Sequence, residues 1–104
     1  MKQFDVHANP FPRSRDYQPF LVTLQSDLLS RSLDTVVVAP LEIADSRRFA
    51  DRLNPRVTID DTSYVIITQE LVTVRKSVLG DTHGSLAHER DAIMAALDML
   101  FTGF

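Results

Sequence analysis

Short runs rich in β-branched and apolar residues follow one another along the first 80 residues, and no run with a helical period separates them. Phe4, Val6 and Ala8 alternate with polar residues, which predicts a half-buried strand over residues 2–8. No regular structure is predicted for residues 42–53, and residues 27–34 are predicted to form a turn. Further strands are predicted over 20–26, 35–41, 70–74 and 76–80. Strands at this spacing favour an antiparallel sheet or a small barrel.

Two connections are distinctive. Residues 9–19, "NPFPRSRDYQP", contain three prolines, which lack a backbone donor and disfavour helix in the residue before them, so a loop is predicted. In "RVTIDDTSYVIIT", Asp60-Asp61-Thr62 lies between two β-rich runs and predicts a hairpin, although the turn contains no glycine.

The hydrophobic period changes in the last twenty residues. Ser85 is a candidate N-cap, and no proline interrupts the chain after it, so a helix is predicted over 86–101. One face of this helix is expected to pack on the sheet, and it consists of Leu86, Ile93, Met94, Leu97, Leu100 and Phe101. A second, fainter stripe on the opposite side allows another surface to approach closely, and it consists of Ala92, Ala95, Ala96 and Met99.

Length and charge limit the function classes. The 104 residues predict a single domain over 1–104. A net charge of −3 gives no general attraction to nucleic acid or to anionic membranes. The chain has no cysteine, no signal-peptide pattern and no apolar run of about 20 residues, so the expected location is the cytoplasm.

Few residues are candidates for catalysis or for binding a metal or phosphate. On a helix, His83 and His88 would lie about 140° apart, so no metal site is predicted. Asp60 and Asp61 are interpreted as solvated turn residues rather than an acid–base pair. The three glycines fit neither a dinucleotide fingerprint nor a phosphate-binding loop. Phosphate binding by the proline-rich loop, through Arg13, Arg15 and Asp16, remains an alternative to a solvated loop. No enzyme and no cofactor are predicted.

Several ordered segments nevertheless resemble one family, the CcdB toxins of bacteria. They are "VTLQSDLL", "VVVAPL", "VTIDDTSYVIIT", "SVLGD" and "LAHERDAIMAALDMLFTGF", which together run along almost the whole chain. They include a Leu-x-His near the helix start and a Phe-x-Gly-hydrophobic ending. The loop of residues 9–18 is longer than in the plasmid-borne founder of the family and is similar to the chromosomal branch.

The resemblance implies a mainly β fold, an SH3-like barrel of antiparallel strands with a C-terminal α-helix. It also implies a homodimer that acts without catalysis by binding the A subunit of DNA gyrase and trapping the enzyme on cleaved DNA. The expected antagonist is a CcdA-like antitoxin, and the two proteins together are expected to repress their own operon. Contact with operator DNA would come through the antitoxin complex, in keeping with the negative charge of this chain.

The resemblance also assigns residues to these contacts, and it gives a role to the apolar ending "MLFTGF". The implied gyrase-binding residues are Thr102, Gly103, Phe104, Leu28 and Leu29. The implied antitoxin-binding residues are Leu28, Leu29, Asp98, Phe101, Thr102 and Gly103. Burial in the monomer core is the alternative for the two leucines and for Phe101.

One position departs from the family, and two other functions stay open. The best-known family ending has Trp where this chain has Thr102, which lacks the stacking surface of an indole. One alternative is a MazF-like endoribonuclease toxin, because such toxins share the barrel and use a charged loop after the first strand, where Arg13, Arg15 and Asp16 lie. The other is a degenerate toxin that only binds antitoxin.

Overall fold

The computed structural model describes residues 1–44 and 49–104. Within them, the strands are β1 (Asp5–Ala8), β2 (Phe20–Thr23), β3 (Thr35–Ile43), β4 (Arg56–Ile59), β5 (Thr62–Ile66), β6 (Val72–Arg75) and β7 (Thr82–Ser85). The helices are α1 (Asp27–Ser32) and α2 (Arg90–Thr102). Single 3-10 turns lie at Thr68–Glu70, Lys76–Val78 and Ala87–Glu89.

The strands form one antiparallel sheet in the order β4-β5-β3-β2-β1-β7, with β6 attached to β3. The long central strand β3 pairs with β2 along one edge. Its other edge is shared, because β6 pairs with Thr35–Val38 and β5 pairs with Leu41–Ile43. The result is a half-barrel of antiparallel strands with a C-terminal helix, which confirms the predicted fold class.

Pro40 lies inside β3 at the point where the partner strand changes. Its carbonyl accepts a hydrogen bond from the Ile67 backbone N–H at 2.9 Å, so the nitrogen of Pro40 faces the same edge. Since that nitrogen has no hydrogen to donate, it occupies the gap between the β6 ladder and the β5 ladder without interrupting either.

The predicted hairpin is confirmed. Ile59 pairs with Thr62, so the loop consists of Asp60 and Asp61 alone. Both have positive φ, 50° and 64°, as a type I′ turn requires, and aspartate tolerates this region better than most residues.

Apolar side chains are buried on both sides of the sheet, because consecutive strand residues face opposite ways. Val22 belongs to the larger cluster, which α2 covers with Ile93, whereas its neighbour Leu21 packs with Val36 and Val38 on the other side. Leu86, just before α2, is also buried in the larger cluster. No helix among the described residues is long and apolar enough to cross a membrane.

The prediction of a turn over residues 27–34 is wrong, because α1 lies there. The Ser26 hydroxyl accepts a hydrogen bond from the Leu29 backbone N–H at 3.4 Å, and Asp27 in the first turn and Arg31 in the last turn suit the helix dipole. Asp and Ser favour helix N-termini as well as turns, and here Ser26 caps a helix that Asp27 begins.

The strand boundaries also differ. Residues 76–80 are not a strand, since Lys76–Val78 forms a 3-10 turn, while Thr82–Ser85 pairs with β1 as a strand that lacks the β-branched pattern. The first strand begins at Asp5 rather than at residue 2, because Phe4 has a φ of 70°. The strand predicted over 20–26 ends at Thr23, and the one predicted over 70–74 begins at Val72. Part of the 42–53 segment, residues 45–48, lies outside the described residues.

The C-terminal helix is confirmed with a later start. The Ser85 hydroxyl accepts from the Ala87 backbone N–H at 3.1 Å, but Ser85 is not the N-cap, because a 3-10 turn follows it and α2 begins at Arg90 after the N-cap residue Glu89. Two assignments to its faces are wrong. Phe101 was expected to pack on the sheet but is 70% exposed, and Ala96, expected on the far side, is fully buried.

Candidate functional site

The helix α1 displays two leucines to solvent. Leu28 is 70% exposed and Leu29 is 48% exposed, whereas the next residue, Ser30, is buried. This rejects burial of the two leucines in the monomer core. It also agrees with the position of Ser30 on the inward side of a helix only six residues long.

A helix of this length is unstable alone, so contacts from outside must hold it. The Asp27 carboxylate accepts from the Gln3 backbone N–H at 2.6 Å, and the Lys76 ammonium donates to the Ser30 carbonyl. These contacts fix both ends of α1 to the body of the protein. Leu28 and Leu29 are therefore presented from a positioned element rather than from a mobile loop.

The last two turns of α2 supply a second exposed apolar surface. Leu97 is half-buried against the larger core cluster, and Phe101, one turn later, extends into solvent. Asp98 lies beside them and is exposed. Burial of Phe101 in the monomer core is therefore also rejected.

The two helices contribute to one apolar groove of about 400 Å³. Leu29 comes from α1, Leu97 and Phe101 come from α2, and β3 supplies Val37 beneath them. Leu24, Gln25, Ser26 and Leu71 complete the lining. We call this the apolar groove. It brings together Leu29 and Phe101, two of the residues assigned from the family resemblance.

The C-terminal residues turn away from α2 after Thr102. The Thr102 hydroxyl donates to the Asp98 carbonyl at 2.7 Å, and the Gly103 backbone N–H donates to the Met99 carbonyl at 3.0 Å. Gly103 has a φ of 80°, which suits glycine and ends the helix. Phe104 then lies 77% exposed. The tail is thus a capped helix end followed by an unburied aromatic ring.

The loop after β1 is folded but its charged side chains are free of the body. The Asn9 side-chain amide donates to the Ser14 hydroxyl at 2.9 Å and to the Gln18 carbonyl at 2.8 Å, which shapes the loop. Arg13, Arg15 and Asp16 are exposed, and no ion pair joins them among residues 1–44 and 49–104.

The histidines do not form a metal site in the part of the chain that the structure describes. His83 lies on β7, not on a helix, and its Nε2 is 2.9 Å from the Asp60 carboxylate. The Phe20 ring lies against the imidazole, with the ring centres 4.8 Å apart. The contact between His83 and Asp60 links β7 to the hairpin turn, and the sequence did not predict it.

A comparison with protein-family models identifies the family of the chain. The model of the CcdB protein family matches residues 3–103. The chain belongs to the CcdB family. Membership in the CcdB family makes the chain a toxin of a toxin–antitoxin system.

Solved structures similar to this CcdB-family chain share its fold. An endoribonuclease in complex with its cognate antitoxin from mycobacterial species has a TM-score of 0.75 at 18% identity, over 96% of this chain and 93% of that one. The Mycobacterium tuberculosis toxin MazF-mt6 has a TM-score of 0.70 at 19% identity, over 93% and 95% of the two chains. At these identities the likeness establishes the half-barrel fold.

Sequence reasoning missed part of the apolar groove. Val37 was placed on a strand but not at a site, and Leu71 lies just after a 3-10 turn that the sequence did not predict. Leu97 packs on the sheet as predicted, but it also lines the apolar groove. The sequence held a signal for α1 in "SDLL", where the N-cap residue Ser26 precedes Asp27 and the two leucines, but it held none that marks Val37 or Leu71 as groove residues.

Proposed function

We propose that this CcdB-family toxin acts by binding, not by catalysis, and that its target is the A subunit of DNA gyrase, which it traps on cleaved DNA. The observation that carries the proposal is the exposure of large apolar side chains at the two helices: Leu28 and Leu29 on α1, Phe101 on α2, and Phe104 just after it. Leu29 and Phe101 line one groove, and an apolar surface shared by several side chains is typical of a protein-binding site.

The proposed gyrase-binding residues are Thr102, Gly103 and Phe104 together with Leu28 and Leu29. Phe104 supplies the aromatic surface, because Thr102 has none and its hydroxyl is used within the helix. Gly103 directs the tail away from the helix axis. The proposed mode therefore differs from the Trp-based ending of the family in the position of its aromatic anchor.

A CcdA-like antitoxin is the proposed antagonist, and its site overlaps that of gyrase. We assign to it Leu28, Leu29, Asp98, Phe101, Thr102 and Gly103. The apolar groove supports this assignment, since Leu29 and Phe101 both line it. A similar half-barrel toxin has been solved in complex with its cognate antitoxin. Overlap of the two sites would let the antitoxin release or exclude gyrase.

We also propose a homodimer that represses its own operon with the antitoxin and works in the cytoplasm. The exposed residues of α2 suit pairing of two copies, although the small-residue stripe is narrower than the sequence indicated because Ala96 is buried. Operator contact is assigned to the antitoxin, because a chain of net charge −3 has no general attraction for DNA.

The direct experiment is binding of the purified chain to the isolated gyrase A subunit, measured by calorimetry with and without a saturating amount of antitoxin. We expect a complex with gyrase that the antitoxin abolishes. Absence of binding to gyrase at micromolar concentrations, combined with growth arrest in cells, would show that the toxin has another target.

An endoribonuclease is the second candidate, favoured by the exposed loop cations Arg13 and Arg15 and by the fold shared with an endoribonuclease. The buried polar side chains of this loop have structural partners. Asn9 donates to the Gln18 carbonyl within the loop, and the Gln18 side chain donates to the carboxylates of Glu42 and Glu70, which fixes the end of the loop to the body of the protein. Asp16, the carboxylate next to Arg15, is exposed, and no hydrogen bond or ion pair among the described residues positions it as a general base. We therefore favour the binding toxin.

A further inference from the structure

We propose that the apolar groove continues along β3 and β6 into a basic cleft, and that this cleft binds a carboxylate of the antitoxin segment that lies in the groove. The cleft has a volume of about 540 Å³ and is lined by Asp34, Thr35, Arg75, Lys76 and Ser77. The inference rests on the proposed binding of an antitoxin in the groove. It adds the chemistry by which that partner is selected.

The register of two strands makes the groove and the cleft one surface. Thr35 pairs with Arg75, and Val37 pairs with Thr73. Residues two apart on a strand share a face and are roughly 7 Å apart, so Thr35 in the cleft and Val37 in the groove are neighbours on one face.

The segment around α1 links the same two sites from the other side. Gln25 lines the groove, and its side-chain amide donates to the Thr35 carbonyl at 3.0 Å. Leu29 lines the groove, while the next residue, Ser30, accepts the hydrogen bond from Lys76 of the cleft. A peptide that crosses this region therefore meets an apolar surface and then a basic one.

Arg75 is the cation available to a ligand. It is exposed, and its guanidinium makes no hydrogen bond to a side chain in the described portion of the chain. Lys76 is partly engaged in holding α1 through Ser30. A guanidinium can bind a carboxylate through two parallel hydrogen bonds, and the hydroxyls of Thr35 and Ser77 are further donors in the cleft.

The charge of the cleft favours an anion. Two cations, Arg75 and Lys76, are opposed by the carboxylate of Asp34, which leaves an excess of one positive charge. The proposed partner is a protein segment, and the anionic side chains of an unmodified protein are the carboxylates of Asp and Glu. The partner is therefore an acidic residue.

The spacing gives the partner a sequence signature. In an extended segment, residues i and i+2 lie roughly 7 Å apart, and in a helix residues i and i+4 lie about 5–6 Å apart on one side. We therefore expect an Asp or Glu either two residues or one helical turn from an apolar residue that occupies the groove.

The test uses the full toxin and its proposed CcdA-like antitoxin, with Kd measured by calorimetry at about 50 mM and about 300 mM NaCl. Arg75→Ala should weaken binding roughly three- to tenfold at low salt, and the difference should shrink at high salt. Asp34→Asn should tighten binding, because it removes the repelling charge. The matched control is Arg56→Ala, since Arg56 is equally exposed but lies on β4 at the far edge of the sheet.

The outcomes separate the cleft from the groove. If Phe101→Ala weakens binding while Arg75→Ala and Asp34→Asn leave Kd unchanged, the cleft is not part of the site, although the groove is. If Arg75→Ala tightens binding and Asp34→Asn weakens it, the cleft binds a cation and the inference is wrong. If the wild-type chain does not bind the antitoxin at all, both the proposed function and the inference fail. Far-ultraviolet circular dichroism of each variant confirms that a change in Kd does not arise from unfolding.

Discussion

Leu29 in α1 and Phe101 in α2 line the same groove, although 72 positions separate them in the sequence. Leu29 follows a capped helix start, and Phe101 is near the C-terminal end of the chain. The fold places both beside Val37 of the central strand. An apolar surface assembled from three elements, with two side chains about half or more exposed, is what a partner-binding toxin requires.

The variant Phe101→Ala should therefore weaken binding to the antitoxin without lowering the stability of the fold. Because Phe101 is 70% exposed, we expect the melting temperature to change by no more than about 2 °C. Affinity for the antitoxin should fall by more than about tenfold, as for an aromatic hot spot. The measurements are thermal denaturation and calorimetry.

The control for that variant is Ile93→Ala on the same helix. Ile93 is 1% exposed within the larger core cluster, so its truncation should cost about 2–5 kcal/mol of unfolding free energy. A Phe101→Ala variant that loses as much stability as Ile93→Ala would show that the Phe101 ring is packed, and the binding interpretation would be wrong.

Asp61→Gly should stabilise the protein. Asp61 has a φ of 64° in a two-residue turn, and glycine adopts this conformation without the cost that a side chain imposes. We expect a gain of about 0.5–1 kcal/mol, visible as a rise in melting temperature of roughly 2–6 °C. Asp81→Gly is the matched control, because Asp81 is also exposed but lacks positive φ, and it should give no gain.

Part of this account follows from the sequence alone, and the reasons for the failures are physical. The β-branched and apolar run of β3 and the two aspartates of the hairpin predicted their structures correctly, because local pattern and tertiary structure agree there. Residues 82–85, "THGS", have no strand pattern, and they form a strand only because they pair with β1. The helix α1 has only six residues, which is too few to show a helical hydrophobic period, so the turn propensity of Asp and Ser decided the prediction.

The exposure of the residues assigned from the family resemblance suits a binding role, and that role stays a prediction. The family resemblance pointed to Leu28, Leu29 and the end of α2, and all of these side chains are accessible or line the groove. Helical periodicity alone predicted that Phe101 packs on the sheet, because periodicity cannot show where a helix extends beyond the edge of the sheet. Arg75 carried no signal, since its partner across the sheet, Thr35, is far away in the sequence.

The purified chain should be a dimer. The exposed apolar side chains near the end of α2 motivate this expectation, because two copies can cover each other. Sedimentation velocity at micromolar concentration should show one species of twice the chain mass. A monomer across the whole accessible concentration range would contradict it.

Incubation of the toxin with a mixed RNA substrate should yield no specific cleavage. Asp16, the carboxylate beside Arg13 and Arg15, is only a weak candidate for a general base, because it is exposed and no contact among the described residues positions it. Sequencing of RNA ends is the measurement. Specific cuts that disappear in both Arg13→Ala and Arg15→Ala would establish the ribonuclease in place of the binding toxin.

Thr102→Trp should strengthen the toxin. The substitution adds an indole at the position where the family has one, and it removes only a local hydrogen bond to the Asp98 carbonyl. We expect affinity for the gyrase A subunit to rise by at least about tenfold with little change in melting temperature. Unchanged affinity would show that the aromatic anchor at this position does not contribute.

The central claim is that the tail traps gyrase on cleaved DNA, and the decisive measurement is the amount of linear plasmid that gyrase yields after protease treatment in the presence of the toxin. The wild-type chain should produce linear DNA, and a chain that lacks residues 102–104 should produce none while retaining its melting temperature, because these residues are exposed. Equal amounts of linear DNA from the full and truncated chains, or none from either while the full chain arrests growth, would contradict the account.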